Sequence, residues 1–240
     1  MASLGIPATR ENAPVASVPH TILMLLIQVA LVAWGFHLQH QPSSGNSVLP
    51  ENRNVVPLYI SVIVLEWALV FAVYRGVRSR GVTLWDLVGQ RWTSWKDVGV
   101  DLAVCIPFLL IWEGTAWVMH RIGGPISAKS IETMLPRSLP EILLWIAVSV
   151  SAGICEEIVF RGYFQKQFAA YTNSVTLAVL LQGIVFGVGH AYQGLQQVVI
   201  ISVLGVLYGA LAAWRGNLRV NMMAHAWTDI WSGWLSGLVR

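Results

Sequence analysis

Three short groupings in this sequence set carboxylates, imidazoles and a guanidinium at helical spacing. The first is Cys155-Glu-Glu-Ile-Val-Phe-Arg161. Glu157 and Arg161 are four residues apart and share a helix face, where they neutralise each other. Glu156 projects about 100° away from Glu157 around the helix, so it has to find a different partner. The second grouping, Phe186-Gly-Val-Gly-His190, puts an aromatic ring and an imidazole on one face, with glycines beside them for access. The third, His225-Ala-Trp-Thr-Asp229, again sets two polar groups four apart. A carboxylate facing an imidazole in a wet pocket can take a proton from water, and amide hydrolysis then needs donors for the developing oxyanion. His225 can be such a donor, and Asp229 can orient that ring or, when it carries a proton, donate directly. Neither Gly-x-Ser-x-Gly nor His-Glu-x-x-His occurs, so the expected nucleophile is water rather than an activated serine or a zincin's hydroxide. Taken singly, each grouping also fits a helix-end anchor or a hydrogen-bonded interface histidine.

The elements that carry these groups are membrane helices. Apolar spans run over about 20–37, 55–74, 98–120, 141–168, 174–192, 195–214 and 218–238, each near the length that crosses a hydrocarbon core, which predicts an all-α bundle of about seven transmembrane helices. An ionisable group inside such a span costs roughly 2.5–3.5 kcal/mol on insertion scales, so each needs a partner or a purpose. If the fourth and fifth helices form a hairpin turning near 171–173, Glu156 lies about 23 Å before the turn and His190 about 27 Å after it, at nearly one depth. A turn near Gly216 brings His225 and Asp229 about 14–20 Å up the last helix, within reach of the other two. Gly183 and Gly187, and Gly205 and Gly209, sit four apart where helices can approach closely.

Composition agrees. Of 240 residues, 55% are hydrophobic and 11% charged, with a mean hydropathy of +0.62, against about a quarter charged in a soluble domain. The net charge is +3, yet Lys and Arg lie singly between apolar stretches, which excludes a nucleic-acid surface. Cys105 and Cys155 fall inside apolar stretches and read as small buried hydrophobes. Residues 1–17 suit a disordered cytoplasmic tail, 18–240 a single integral membrane domain, and 140–238 its motif-bearing core. The stretches 39–54 and 75–97 read as loops, the second with Trp85, Trp92 and Trp95 spaced for a membrane surface. With a cytoplasmic amino terminus, ten cations including Arg161 and Lys166 fall on the inner side and five on the outer, which favours that orientation and a multi-pass protein of the cell inner membrane.

At these residues the sequence resembles the CPBP family (CAAX protease and bacteriocin-processing, Abi) of intramembrane glutamic endopeptidases, which includes the type II CAAX prenyl proteases. The family's Glu-Glu-x-x-x-Arg, Phe-x-x-x-His and His-x-x-x-Asn/Asp motifs fall in order at Glu156–Arg161, Phe186–His190 and His225–Asp229. The resemblance implies that Glu156 activates water with help from His190, that His225 and Asp229 stabilise the oxyanion, and that Glu157, Arg161 and Phe186 support the site. Asp229 departs from the Asn of the prenyl proteases. No cofactor is expected. Zinc on the two His and two carboxylates is the alternative. The expected partners are the lipid bilayer and a membrane-associated or membrane-anchored peptide or protein. Two other classes compete: a non-catalytic immunity or scaffold protein, which the intact Glu156, His190 and His225 disfavour, and a proton-coupled transporter using Glu66 and Glu113.

Overall fold

The computed structural model describes residues 13–39, 54–123 and 134–238, and among them the chain is helical with no strand. The helices are α1 (Val18–Gln39), α2 (Val56–Arg78), the short α3 (Leu84–Val88), α4 (Trp95–Gly123), α5 (Leu139–Glu157), α6 (Gln165–Thr172), α7 (Val175–Gly189), α8 (Leu195–Arg215) and α9 (Arg219–Leu238). Between α5 and α6 the segment Ile158–Phe164 is a π-helix, so Leu139–Thr172 is one continuous rod. Prolines open α2 and α5, where a missing N–H is harmless.

Among the described residues five helical stretches are long and apolar enough to cross a membrane: Val18–His37, Val56–Arg78, Trp95–Gly123, Leu139–Thr172 and Leu195–Arg215. The two other expected spans complete the bundle in altered form. The fifth stops at Gly189, leaving the shorter α7, and α9 loses apolar character because it carries Asn221, His225 and Asp229. Large apolar side chains on the outside, among them Val29, Leu110 and Leu143, form the face that a membrane protein turns to lipid.

The expected hairpins are present. Asn173 ends α6 in the left-handed region, and the Ser174 side chain caps α7 by accepting from Leu177 N–H at 3.2 Å. Gly216, at φ 66°, turns α8 into α9. The glycines pack as their spacing predicts. A Cβ on Gly205 would stand 2.8 Å from Gly183 Cα, and one on Gly153 would meet Ala226 N and Met222 O at 2.8 Å each. α7 therefore lies directly on α8, and α5 on α9. The apolar core has two parts. One joins α1, α2, the π segment and α7 through Met24, Val73, Phe160, Phe164 and Phe186. The other joins α4, α8 and α9 through Phe108, Trp112, Leu204, Tyr208 and Val220.

Several expectations change. Residues 1–12 lie outside the described residues, but the end of the expected tail is fixed: Ala16 is fully buried and exchanges two 3.2 Å hydrogen bonds with the Gln167 side chain. Nearby, His20 donates from Nε2 to Ala72 O at 3.0 Å, and its Nδ1 is hydrogen-bonded to the Tyr163 hydroxyl 2.7 Å away. The 39–54 loop falls largely outside the described residues. The 75–97 stretch holds α3, begun by a capping box between Thr83 and Asp86. Hydrogen bonds from the Thr83 backbone and hydroxyl, with Lys166 nearby, hold the Asp86 carboxyl below its ordinary range. Trp85, Trp92 and Trp95 are exposed there as expected, with Trp92 also donating to buried Asp101, which pairs with Arg215 and Arg219. Arg161 is not a loop cation: it is 1% exposed inside the rod. Both cysteines are buried and free.

Candidate active site

The rod formed by α5 and the π segment delivers Glu156, Glu157 and Arg161, and the π segment begins immediately after the paired acids. Such wide turns recur at functional sites because they re-aim neighbouring side chains without breaking the helix. All seven residues of the segment are buried.

Glu157 is saturated. Its Oε1 accepts Arg161 Nη1 at 2.9 Å and His225 Nδ1 at 2.8 Å, and its Oε2 accepts the Asn221 amide at 3.2 Å. Glu157 and Arg161 both have side chains 0% exposed, so two buried charges compensate each other with hydrogen bonds to spare. Arg161 is further enclosed between the rings of Phe186, 4.3 Å from its guanidinium carbon, and Tyr208, at 5.0 Å, and it donates to Gly205 O at 3.3 Å. The charge is thus fixed on three sides by aromatic faces and carbonyl oxygen.

The grip on Nδ1 decides what His225 can do. With Nδ1–H given to Glu157 and its ring stacked on Tyr208 at 5.3 Å, the imidazole is fixed in orientation and plane. Its other nitrogen, Nε2, stands 3.6 Å from Glu156 Oε2 and 3.7 Å from Asp229 Oδ2. Both gaps are too long for direct hydrogen bonds and suit a bridging water or a reacting oxygen. Glu156, 24% exposed, and Asp229, 34% exposed, are the accessible side of a site whose back wall is dry. Glu156 Oε2 is itself buried without a hydrogen-bond partner among the described residues. The Asp229 main chain is held by Trp145 Nε1, which donates to its carbonyl at 3.0 Å.

His190 is placed differently from its sequence expectation. It caps α7 instead of lying within a longer helix, and its Nδ1 bonds to Phe186 O at 2.9 Å. A carbonyl only accepts, so Nδ1 carries the proton that the bond to Phe186 needs. Among the described residues His190 makes no ion pair with Glu156; its ring packs edge-on against Phe186, which also meets His225 edge-on. Phe186, 1% exposed, is therefore the shared wall between the two imidazoles and Arg161.

Sequence spacing missed two contributors. Asn221 lies four residues before His225 on one face of α9, and that periodicity was available. Tyr208 comes from a helix without a motif, so nothing in its neighbourhood marked it. Glu66 on α2 is buried, whereas Glu113, grouped with it in the transport alternative, is exposed on α4. No group of three or more His, Cys, Asp or Glu side chains among the described residues is arranged to hold a metal ion.

Residues 138–231 match the family model described as type II CAAX prenyl endopeptidase Rce1-like, a span that contains all three motifs. The uncharacterized protein YpbD of Bacillus subtilis (strain 168) is 26% identical over 145 residues, covering 59% of this chain and 67% of that protein. No solved structure matches.

Proposed function

We propose that this multi-pass membrane protein, whose residues 138–231 match the Rce1-like type II CAAX prenyl endopeptidase model, hydrolyses a peptide bond of a membrane-associated substrate at the pocket between Glu156, His225 and Asp229. The observation that carries this reading is the pair of gaps at His225 Nε2, 3.6 and 3.7 Å wide, opposite an Nδ1 already committed to Glu157.

In the proposed reaction Glu156 removes a proton from water held in the gap. The oxygen attacks the substrate carbonyl carbon, and the π electrons of the carbonyl move onto its oxygen. His225, protonated on both nitrogens, gives Nδ1–H to Glu157 and Nε2–H to that oxyanion. Collapse breaks the C–N bond, and Glu156 passes its proton to the leaving amine. Glu157 with Arg161 keeps the ring oriented, as the carboxylate does behind any catalytic imidazole, and Asn221 keeps Glu157 oriented. His190, with its proton fixed at Nδ1, offers Nε2 to the water from the far side of Phe186. Asp229 holds the water beside Nε2. The site is proposed to open to the cytoplasmic half of the cell inner membrane, where the carboxy terminus of a lipid-anchored substrate lies.

The test is hydrolysis of an internally quenched peptide with a farnesylated CAAX end by the full-length protein in proteoliposomes. Wild type is expected to release a carboxy-terminal fragment, and Glu156→Gln and His225→Ala are expected to be inactive. Full turnover by Glu156→Gln, or no product from wild type on any lipidated or membrane-anchored peptide, would sink the reading.

A further inference from the structure

The outer surface between α4 and α8 holds a groove that the proposed reaction does not use. Its volume is about 480 Å³ and its lining is apolar, with Ala103, Pro107 and Phe108 from α4 and Leu207, Ala210 and Trp214 from α8. α8 packs much more closely on α7 than on α4, and the small side chains of Ala103 and Ala210 leave the space open. Phe108 is buried, and its ring centre lies 5.0 Å from that of Tyr208, so this part of the lining belongs to the core. Trp214 at the rim is 70% exposed, and in a bilayer the groove opens to hydrocarbon.

One end of the groove is cationic. Arg215 follows Trp214 at the end of α8, and its guanidinium carbon lies 5.7 Å from the centre of that ring. It pairs through Nη2 with Asp101 Oδ1 at 2.8 Å, but buried Asp101 also pairs with Arg219 Nε at 2.8 Å, so one carboxylate serves two guanidiniums. Arg91 joins the cluster by giving its carbonyl to Arg219 Nη1 at 2.9 Å. Lys96, exposed in the first turn of α4, stands two helical turns before Ala103 and therefore on the groove side of that helix. Against these four cations stand two acids, Asp101 and Asp97, and Asp97 is turned to the N–H groups of Thr93 and Ser94. Positive charge is left over where Trp92, Trp95 and Trp214, all exposed, mark the headgroup level.

Length selects the occupant. From Ala103 to Ile111 the groove runs about 12 Å, most of the roughly 15 Å of hydrocarbon in one leaflet and far short of the roughly 30 Å that a partner's transmembrane helix would need. An apolar chain one leaflet long, joined to an anion at the surface, matches both the groove and its cationic end. We propose that the groove is a binding site for one anionic phospholipid, its phosphate on Arg215 and Lys96 and one acyl chain lying between Pro107 and Ala210 against Phe108. The assignment does not depend on the peptidase reading.

The test is native mass spectrometry of the full-length protein in detergent, titrated with dioleoyl phosphatidylglycerol or with dioleoyl phosphatidylcholine, which has the same chains and no net charge. Wild type is expected to hold one phosphatidylglycerol with a Kd about tenfold below that for phosphatidylcholine. Lys96→Gln and Arg215→Gln are each expected to weaken phosphatidylglycerol binding about fivefold, the scale of one cation beside an anionic headgroup, and to leave phosphatidylcholine binding unchanged. Ala210→Trp fills the groove and is expected to weaken binding of both lipids about tenfold. If Arg215→Gln does not fold, Lys96→Gln and Ala210→Trp decide the question, since both positions are exposed. Equal affinity of wild type for the two lipids, or wild-type phosphatidylglycerol binding by Ala210→Trp or Lys96→Gln, overturns the assignment. A protein dimer that Ala210→Trp dissociates would give the groove to a second copy instead.

Discussion

Glu157 reaches His225, 68 residues further along the chain, with the same oxygen that accepts Arg161, at 2.8 and 2.9 Å respectively. One carboxylate oxygen therefore sets both the charge balance of the dry wall and the orientation of the imidazole facing the wet one. The neighbouring acids have separate tasks, and their substitutions separate accordingly.

Replacing Glu157 by Gln leaves Arg161 buried and uncompensated, which is expected to cost about 3–5 kcal/mol of stability and to abolish turnover through loss of the His225 orientation. Glu156→Gln, at the accessible side, is expected to abolish turnover with less than about 1 kcal/mol of destabilisation. Denaturant unfolding in detergent beside single-turnover cleavage measures both. Equal destabilisation by the two substitutions would contradict this division.

Asp229 occupies the position where the prenyl proteases carry Asn, and its side chain faces His225 Nε2 across 3.7 Å. Holding a water beside that nitrogen needs a polar oxygen, not a charge. Asp229→Asn is therefore expected to keep kcat within about tenfold, and Asp229→Ala to lower it by about 100-fold, the scale of one lost transition-state contact. A folded but inactive Asp229→Asn would show that the carboxylate charge is required.

Gly153 sets the separation of α5 from α9, and hence of Glu157 from His225. An added Cβ meets backbone atoms of Met222 and Ala226 that cannot turn aside. Gly153→Ala is expected to destabilise the bundle by about 1–3 kcal/mol as an overpacked contact. Turnover should fall further than the loss of folded protein accounts for, which active-site titration against the folded fraction would reveal.

Asp86, below its ordinary range because of the Thr83 hydrogen bonds, provides a pH signature remote from the chemistry. A carboxyl whose pKa is depressed on folding stabilises the fold above its unfolded pKa, and that contribution disappears as pH falls through the lower folded value. Wild type is expected to be more stable than Asp86→Asn at pH 7, with the difference shrinking below about pH 4. Unfolding of the two proteins across pH 3–7 tests this, and a constant difference would contradict it.

Much of the site was legible because its motifs obey rules local to one helix. The four-residue spacing gave the Glu157–Arg161 pair, and chain length from the turns at Asn173 and Gly216 put the polar groups near one depth. What those rules cannot see is which helix faces which. The spacing assigned Glu157 to Arg161 alone, because its second partner, His225, arrives from α9. Likewise it could note that Glu66 was an acid in an apolar span without showing that it is buried. The short α3 was within reach, since Thr83-x-x-Asp86 is a capping box with Asp in place of Glu. The π segment and the burial of Ala16 had no such marker: both depend on packing against other helices.

The reciprocal bonds between Ala16 and Gln167, and the His20 link from Ala72 to Tyr163, fasten the chain's first two long helices onto the rod that carries Glu156 and Glu157. The segment recognisable by motif starts at residue 138, but the cooperative unit starts more than a hundred residues earlier. Trimming the protein to its recognisable part would not isolate a minimal enzyme. It would uncover Gln167 and Tyr163 to lipid and strip α2 from the rod.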